Sequence, residues 1–386
     1  MPTLVDYITE NKNKSFKDLP INELDIVAIN EIGYLSFDDV VKETITSQSD
    51  VYLSELTVDD EKDLLNSVYN FLITKERLNL FHAIRQSKRF KDLALSHYIN
   101  EIDVEFERQF AGMVFKIKSL NHVQVVFRGT DDSLIGWKED FKLTYMREIP
   151  AHRAAISFIK NYLDENPEDQ IIVSGHSKGG TLALYGTSFI TPSYQEAIKK
   201  VYLLDSPGLS EDLLERPGYQ SIRKKLIVIR PQESVVGVML YCDVPPKIVK
   251  SSAFGVLQHK TSSWQVDAKG KFVTVPHPSS LSRNLELTFK EWNRQLSKQE
   301  LKMVCDLFFD ALISSGITSL HAFTFDEKAF VNFYQVLSSL RSIDQAHKAV
   351  MIKSMRQLIH DYTGIRKREV SEKIQGRIGA ILKKRA

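Results

Sequence analysis

Two kinds of apolar spacing alternate along the chain and divide it into three stretches. Up to about residue 105 the apolar positions recur near the helical period. Asn22 to Asn30 and Asp59 to Tyr69 both begin with acids and carry apolar residues three or four apart. The middle changes character. Short β-branched or alternating runs occur at 112–118, 122–127, 170–174, 200–204, 225–230 and 246–252. A helical pattern from His152 to Asp164, stopped by Asn166-Pro167, separates two of them. Strand, helix, strand alternation predicts a mostly parallel central sheet with helices on both faces. Trp264 to Val266 and Phe272 to Val275 predict a late hairpin around Ala268-Lys269-Gly270. Beyond Pro278 the helical period returns, over Leu285–Leu296, Lys298–Ser314, Asp326–Leu340 and His347–Tyr362. The expected organisation is a helical region 1–105 packed on an α/β core 106–280, followed by a helical region 281–386. No repeat or low-complexity linker separates them.

The richest chemistry lies where the run 170–174 ends. Gly175-His176-Ser177-Lys178-Gly179-Gly180 follows a buried strand pattern and opens a helical one. A strand-to-helix turn this tight leaves no room for side chains two before and two after its central residue, hence the glycines. The strained backbone lifts the Ser177 hydroxyl above the sheet and aims the Lys178 N–H at the point where an oxyanion can form. This is the nucleophile elbow of an α/β-hydrolase, and it refines the fold class to an α/β-hydrolase fold with helical additions at both ends. A second oxyanion donor is expected from the loop after run 122–127, Arg128-Gly129-Thr130, where Thr130 offers its N–H and its hydroxyl.

A triad in this fold runs in the order serine, acid, histidine. The acids that follow the elbow are Asp205, Glu211, Asp212, Glu233 and Asp243. Asp205 ends the next strand pattern, which is early for the acid. Glu233 lies just past the strand after that and fits best, with Asp243 and Asp205 as alternatives. Of the later histidines, His259 sits in a polar loop before a strand, whereas His277 is clamped between two prolines. His321, His347 and His360 fall in or beside helical patterns. His259 is therefore the expected base, and His176 is expected to pack behind the elbow.

Composition narrows the picture. The 386 residues are 43% hydrophobic and 26% charged, with a formal net charge of +2, as in ordinary globular proteins. Two cysteines exclude a disulfide scaffold, fit a reducing, cytoplasmic setting and lack metal-ligand spacing. No signal peptide or membrane-spanning apolar run is visible, and the expected chemistry requires no metal or cofactor. Charge is unevenly spread: from Lys353 to Ala386 ten basic residues face three acids. Val370, Ile374, Ile378, Ile381 and Leu382 share one helical face there. The two readings are a packed terminal helix and a peripheral contact with an anionic membrane. Without interleaved aromatic residues, nucleic acid is not expected as a partner.

Phe127-Arg128-Gly129-Thr130 together with Gly175-His176-Ser177-Lys178-Gly179-Gly180 resembles the class 3 lipases. The chain as a whole is more similar to a bacterial relative of these, the Mbeg1-like family. That resemblance rests on Ser15-Phe16, Ile21 to Asp25, Ser234 to Leu240, and Gln258-His259 followed by Ser263-Trp264. It covers roughly residues 1–310. It implies an α/β-hydrolase fold and a lipase-like triad of Ser177, Glu233 and His259. The expected activity is hydrolysis of a small-molecule or lipid ester through an acyl-enzyme. A non-catalytic binding module and an acyltransferase are the alternatives. Lys178 departs from the apolar residue usual in lipases, and its ammonium is expected to influence which acyl or head group is accepted.

Overall fold

A computed structural model describes residues 1–35, 37–38, 50–56, 75–103, 105–130, 134–314, 349, 352–354 and 356–365. Its strands are β1 (Val51–Tyr52), β2 (Leu93–Asp103), β3 (Arg108–Ile117), β4 (His122–Phe127), β5 (Ile171–His176), β6 (Ile198–Leu204), β7 (Leu226–Pro231) and β8 (Lys247–Val249). Its α-helices include α1 (Leu4–Glu10), α2 (Glu23–Ile32), α3 (Lys75–Arg85), α4 (Leu134–Lys142), α5 (Pro150–Glu165), α6 (Lys178–Phe189), α7 (Pro192–Glu196), α8 (Pro217–Ile222), α9 (Ser280–Gln295) and α10 (Lys298–Ser314).

The eight strands among the described residues form one sheet in the order β1 to β8. β1 to β4 pair antiparallel and β4 to β8 pair parallel. This is an α/β-hydrolase fold, with its parallel part where the strand–helix alternation predicted it. The expectation of a helical region up to residue 105 is corrected here. β2 lies inside it and pairs with β3 from Leu93↔Ile117 to Asp103↔Arg108. Its sequence, Leu-Ala-Leu-Ser-His-Tyr, mixes apolar residues on both sides of the pleat, so no clean strand period marks it. The sheet therefore begins well before residue 105.

Successive side chains on a strand point to opposite faces, and each face builds its own core. Met113, Phe115, Val126, Leu204 and Ile229 meet the N-terminal residues Leu4, Tyr7, Leu24, Val27 and Ile29. Val114, Val125, Phe127, Leu203 and Val228 meet α5, α6 and α8 through Phe158, Ile159, Leu182 and Tyr219. Helix α2 starts where expected because Asn22 caps it. The Asn22 side chain accepts from the Leu24 N–H at 2.9 Å while Asp25 accepts from the Asn22 N–H at 2.9 Å. α9 and α10 join a third, smaller core with Tyr145 through Trp292, Leu301 and Phe309. The expected hairpin appears as the bridge Val266↔Phe272, which closes over the Asp267 to Gly270 turn.

The helical patterns at Asp59–Tyr69 and Asp326–Leu340, the loop residues Asp131 to Ser133, His321, His347 and the basic tail beyond Ile365 lie outside the described residues. Residues 352–354 and 356–365 are helical. No helix among the described residues is long and apolar enough to cross a membrane.

Candidate active site

The parallel half of the sheet brings the ends of β4, β5 and β6 to one edge, where β4 leads to Arg128–Thr130, β5 to Ser177 and β6 to Asp205. Ser177 joins β5 directly to α6 with φ 59° and ψ −133°, a left-handed conformation rare for a residue with a Cβ. Crowding explains the flanking glycines. A Cβ on Gly175 would lie 2.1 Å from the Gly179 backbone, and one on Gly179 would lie 2.1 Å from the Phe127 carbonyl oxygen. The Ser177 N–H is tied to the Leu204 carbonyl at 3.0 Å. Lys178 is the first residue of α6, so its N–H has no acceptor within the helix.

His259 belongs to a short 3-10 turn, Gly255–His259. Its Nδ1 is 2.7 Å from Asp205 Oδ2, with side-chain exposures of 13% for the histidine and none for the carboxylate. Facing a carboxylate, Nδ1 carries the proton, which leaves the Nε2 lone pair to act as a base. Asp205 is itself at positive φ, 42°. Ser234 donates to its Oδ1 at 2.5 Å. Burial pushes the Asp205 pKa up. The His259 hydrogen bond and charge and the Ser234 bond outweigh that and hold the carboxyl below its ordinary value.

The acid expected from chain position is thus corrected. Glu233 does not meet His259. Its carboxylate accepts from the Gly255 N–H at 2.5 Å and from Gln258 Nε2 at 2.9 Å. Its own N–H donates to Gln258 Oε1 at 2.9 Å. Successive residues after β7 face opposite ways, so Ser234 reaches Asp205 while Glu233 braces the loop that carries His259. Trp264, fully buried, holds the same loop by donating from Nε1 to the Gln258 carbonyl at 2.9 Å. Asp243 is occupied elsewhere, with Arg223 Nε at 2.7 Å and the Tyr219 hydroxyl. Asp212 pairs with Arg147, Glu211 lies 4.0 Å from Arg294, and His277 and His360 are exposed. A signal for Asp205 was present in the sequence: β6 ends Leu204-Asp205-Ser206-Pro207-Gly208, a polar stop to a buried run at the same sheet edge as Ser177.

Two further expectations change. The Thr130 hydroxyl donates to Asp140 on α4, so only the Thr130 N–H is left to serve an oxyanion. The Lys178 ammonium is turned away from the site and buried. It donates to the Gln109 carbonyl at 2.9 Å, to Gln109 Oε1 at 2.7 Å and to Glu139 Oε2 at 2.9 Å. Its three protons are thereby used, and Glu139 also accepts from the Gln109 and Ala151 N–H groups. His176 lies behind the elbow as expected. It is buried, with its ring centroid 4.3 Å from that of His259. No cluster of His, Cys, Asp and Glu suited to a metal ion occurs among the described residues.

A model of the Mbeg1-like family matches residues 84–310. The chain belongs to the Mbeg1-like family. No curated protein matches its sequence. Similar solved structures include the Lip2 lipase of Yarrowia lipolytica, 14% identical over 53% of this chain and 82% of that one, with a TM-score of 0.32. A lipase of Rhizopus microsporus var. chinensis is 14% identical over 60% and 75%, with a TM-score of 0.32. The M37 lipase is 12% identical over 88% and 94%, with a TM-score of 0.35. The matched segment of this Mbeg1-like chain holds Thr130, Ser177, Asp205, Glu233 and His259. Tyr34, which touches His176, precedes it.

Proposed function

We propose that this Mbeg1-like protein is a serine hydrolase that cleaves carboxylic esters through an acyl-enzyme on Ser177. The observation that carries the reading is the 2.7 Å His259–Asp205 pair, with the ring of His259 4.3 Å from that of His176, the residue that leads into the strained turn of Ser177. Ser177 Oγ attacks the ester carbonyl and His259 Nε2 takes its proton. Asp205 holds the imidazole and balances the imidazolium charge. The negative charge on the former carbonyl oxygen is met by the N–H groups of Lys178 and Thr130. The imidazolium then protonates the departing alkoxide. Water, deprotonated by the same Nε2, releases the acid and restores Ser177. Every step uses side chains and backbone of this chain. The substrate class is a small-molecule or lipid ester.

The test is labelling with a fluorophosphonate. One adduct on the peptide containing Ser177, absent from Ser177→Ala, supports the reading. A folded protein that takes no label despite an intact His259–Asp205 pair would count against it and favour a binding module on the same fold.

A further inference from the structure

We infer that Tyr34, from the N-terminal helical region, is a positioning residue of this site, fixing through its hydroxyl the ring of His176 that ties the elbow to the base loop. The inference rests on the hydrolase reading above. Tyr34 Oη lies 2.8 Å from His176 Nδ1 and 3.1 Å from the His176 carbonyl oxygen. Gly129 of the oxyanion loop packs directly against the same phenol oxygen. That approach is close enough for a Cβ on Gly129 to fall 2.5 Å from Oη. His176 carries the link onward, with Nε2 2.8 Å from the His259 carbonyl oxygen.

The proton placement follows from the partners. A carbonyl oxygen only accepts, so His176 Nε2 carries the proton and Nδ1 is the acceptor. Nδ1 therefore takes the Tyr34 proton. In the other tautomer the bond to the base loop would be lost. Burial, reinforced by the His259 and Arg77 charges, lowers the His176 pKa well below its ordinary value and keeps the ring neutral. Burial likewise raises the Tyr34 pKa, so the phenol stays a donor. The phenol is itself held. Its ring lies under the Arg77 guanidinium, 3.8 Å from the ring centroid, and Arg77 Nε bonds Glu31 at 2.8 Å. A packing role would need only the ring. The hydroxyl sits where it selects one tautomer of His176, packed against Gly129 next to Thr130. Tyr34, Arg77 and Glu31 all lie ahead of the family-matched segment.

Tyr34→Phe keeps the ring under Arg77 and removes the hydroxyl. It should slow fluorophosphonate labelling of Ser177, and kcat for a p-nitrophenyl ester, about 10- to 100-fold, because a small misplacement of reacting groups has effects of that order. KM should stay within about twofold, since no substrate contact is removed. Independently, 15N spectra of histidine-labelled wild-type protein should show His176 as the Nε2–H tautomer between about pH 5 and pH 9, and Y34F should show a tautomer mixture. An unchanged labelling rate in folded Y34F overturns the inference, as does a wild-type spectrum with the proton on Nδ1. If Y34F does not fold, the wild-type spectrum decides alone. Wild-type protein that shows the Nε2–H tautomer yet never labels leaves the Tyr34 link standing and removes the hydrolase reading instead.

Discussion

Two buried polar pairs flank Ser177, and they are put to different uses. On one side Lys178 meets Glu139 at 2.9 Å, with side-chain exposures of 1% and 0%. On the other His259 meets Asp205 at 2.7 Å, with the histidine 13% exposed. The lysine has spent all three protons on fixed acceptors, so the pair can only hold β3, α4, α5 and the elbow together. The histidine commits one nitrogen to Asp205 and keeps the other. A buried polar pair becomes a candidate for chemistry when one partner retains an unspent atom at the site. When every valence is satisfied, the same electrostatics serve architecture.

The sharpest way to break this comparison is to neutralise one carboxylate at a time. Asp205→Asn should lower kcat for ester hydrolysis about 10⁴-fold, since the imidazole loses its tautomer and its counter-charge. Glu233→Gln, which weakens only the brace on the base loop, should lower it about tenfold. The opposite ranking, with both variants melting normally, would return the acid role to Glu233.

The sealed pair should respond the other way round. Lys178→Met leaves Glu139 buried without its cation and should cost about 3–5 kcal/mol of unfolding free energy in urea titrations. The backbone N–H at position 178 survives, so kcat below the melting range should fall less than about tenfold. A variant of normal stability with a collapsed rate would mean that the ammonium acts in the site after all.

Acidification probes groups sealed as neutral species. Burial foremost lowers His122 to about 4 and His152 to about 3, and holds His176 well below its ordinary value. Unfolded histidines take up protons near pH 6.5 while these do not. Their contribution to stability is therefore full above about pH 6.5 and is lost as the pH falls toward the folded values. Three protons taken up on unfolding correspond to a slope of up to about 4 kcal/mol per pH unit. Calorimetric melting between pH 7 and pH 4 should show Tm falling with acid, and His122→Gln should remove about a third of the slope.

The smallest effect is expected from charges belonging to neither pair. If the basic residues beyond Ile365 meet an anionic leaflet, each adds about 1 kcal/mol at best, and salt screens it. Co-sedimentation with vesicles containing anionic lipid should then fall steeply with added salt and disappear when residues 366–386 are removed. Equal sedimentation of both forms would leave that stretch without a membrane role.

Local patterns were legible where local sterics or periodicity dominate. The six strand runs of the central region recur as β3 to β8 with ends shifted by a few residues, because buried runs between turn signals have few other uses. The Gly175, Ser177, Gly179 spacing predicted the elbow, because Gly175 is crowded by Gly179 four residues on; at Gly179 itself it is β4, at Phe127, that leaves no room. The hairpin around Gly270 and the start of α2 near Asn22 are equally local. β2 was hidden because its burial comes from the sheet and the N-terminal helices together, not from its own alternation. Three assignments required the tertiary structure. Asp205 or Glu233 beside His259 depends on how loops from three strands meet, and chain order constrains only their sequence. The direction of the Lys178 side chain depends on Glu139 and Gln109, which are distant along the chain. The reach of Tyr34 to His176 spans 142 positions. A sequence states which groups are available and the local backbone that carries them. Which pairs form is decided when folding brings distant groups into low dielectric, where an unmatched charge or N–H is too costly to leave.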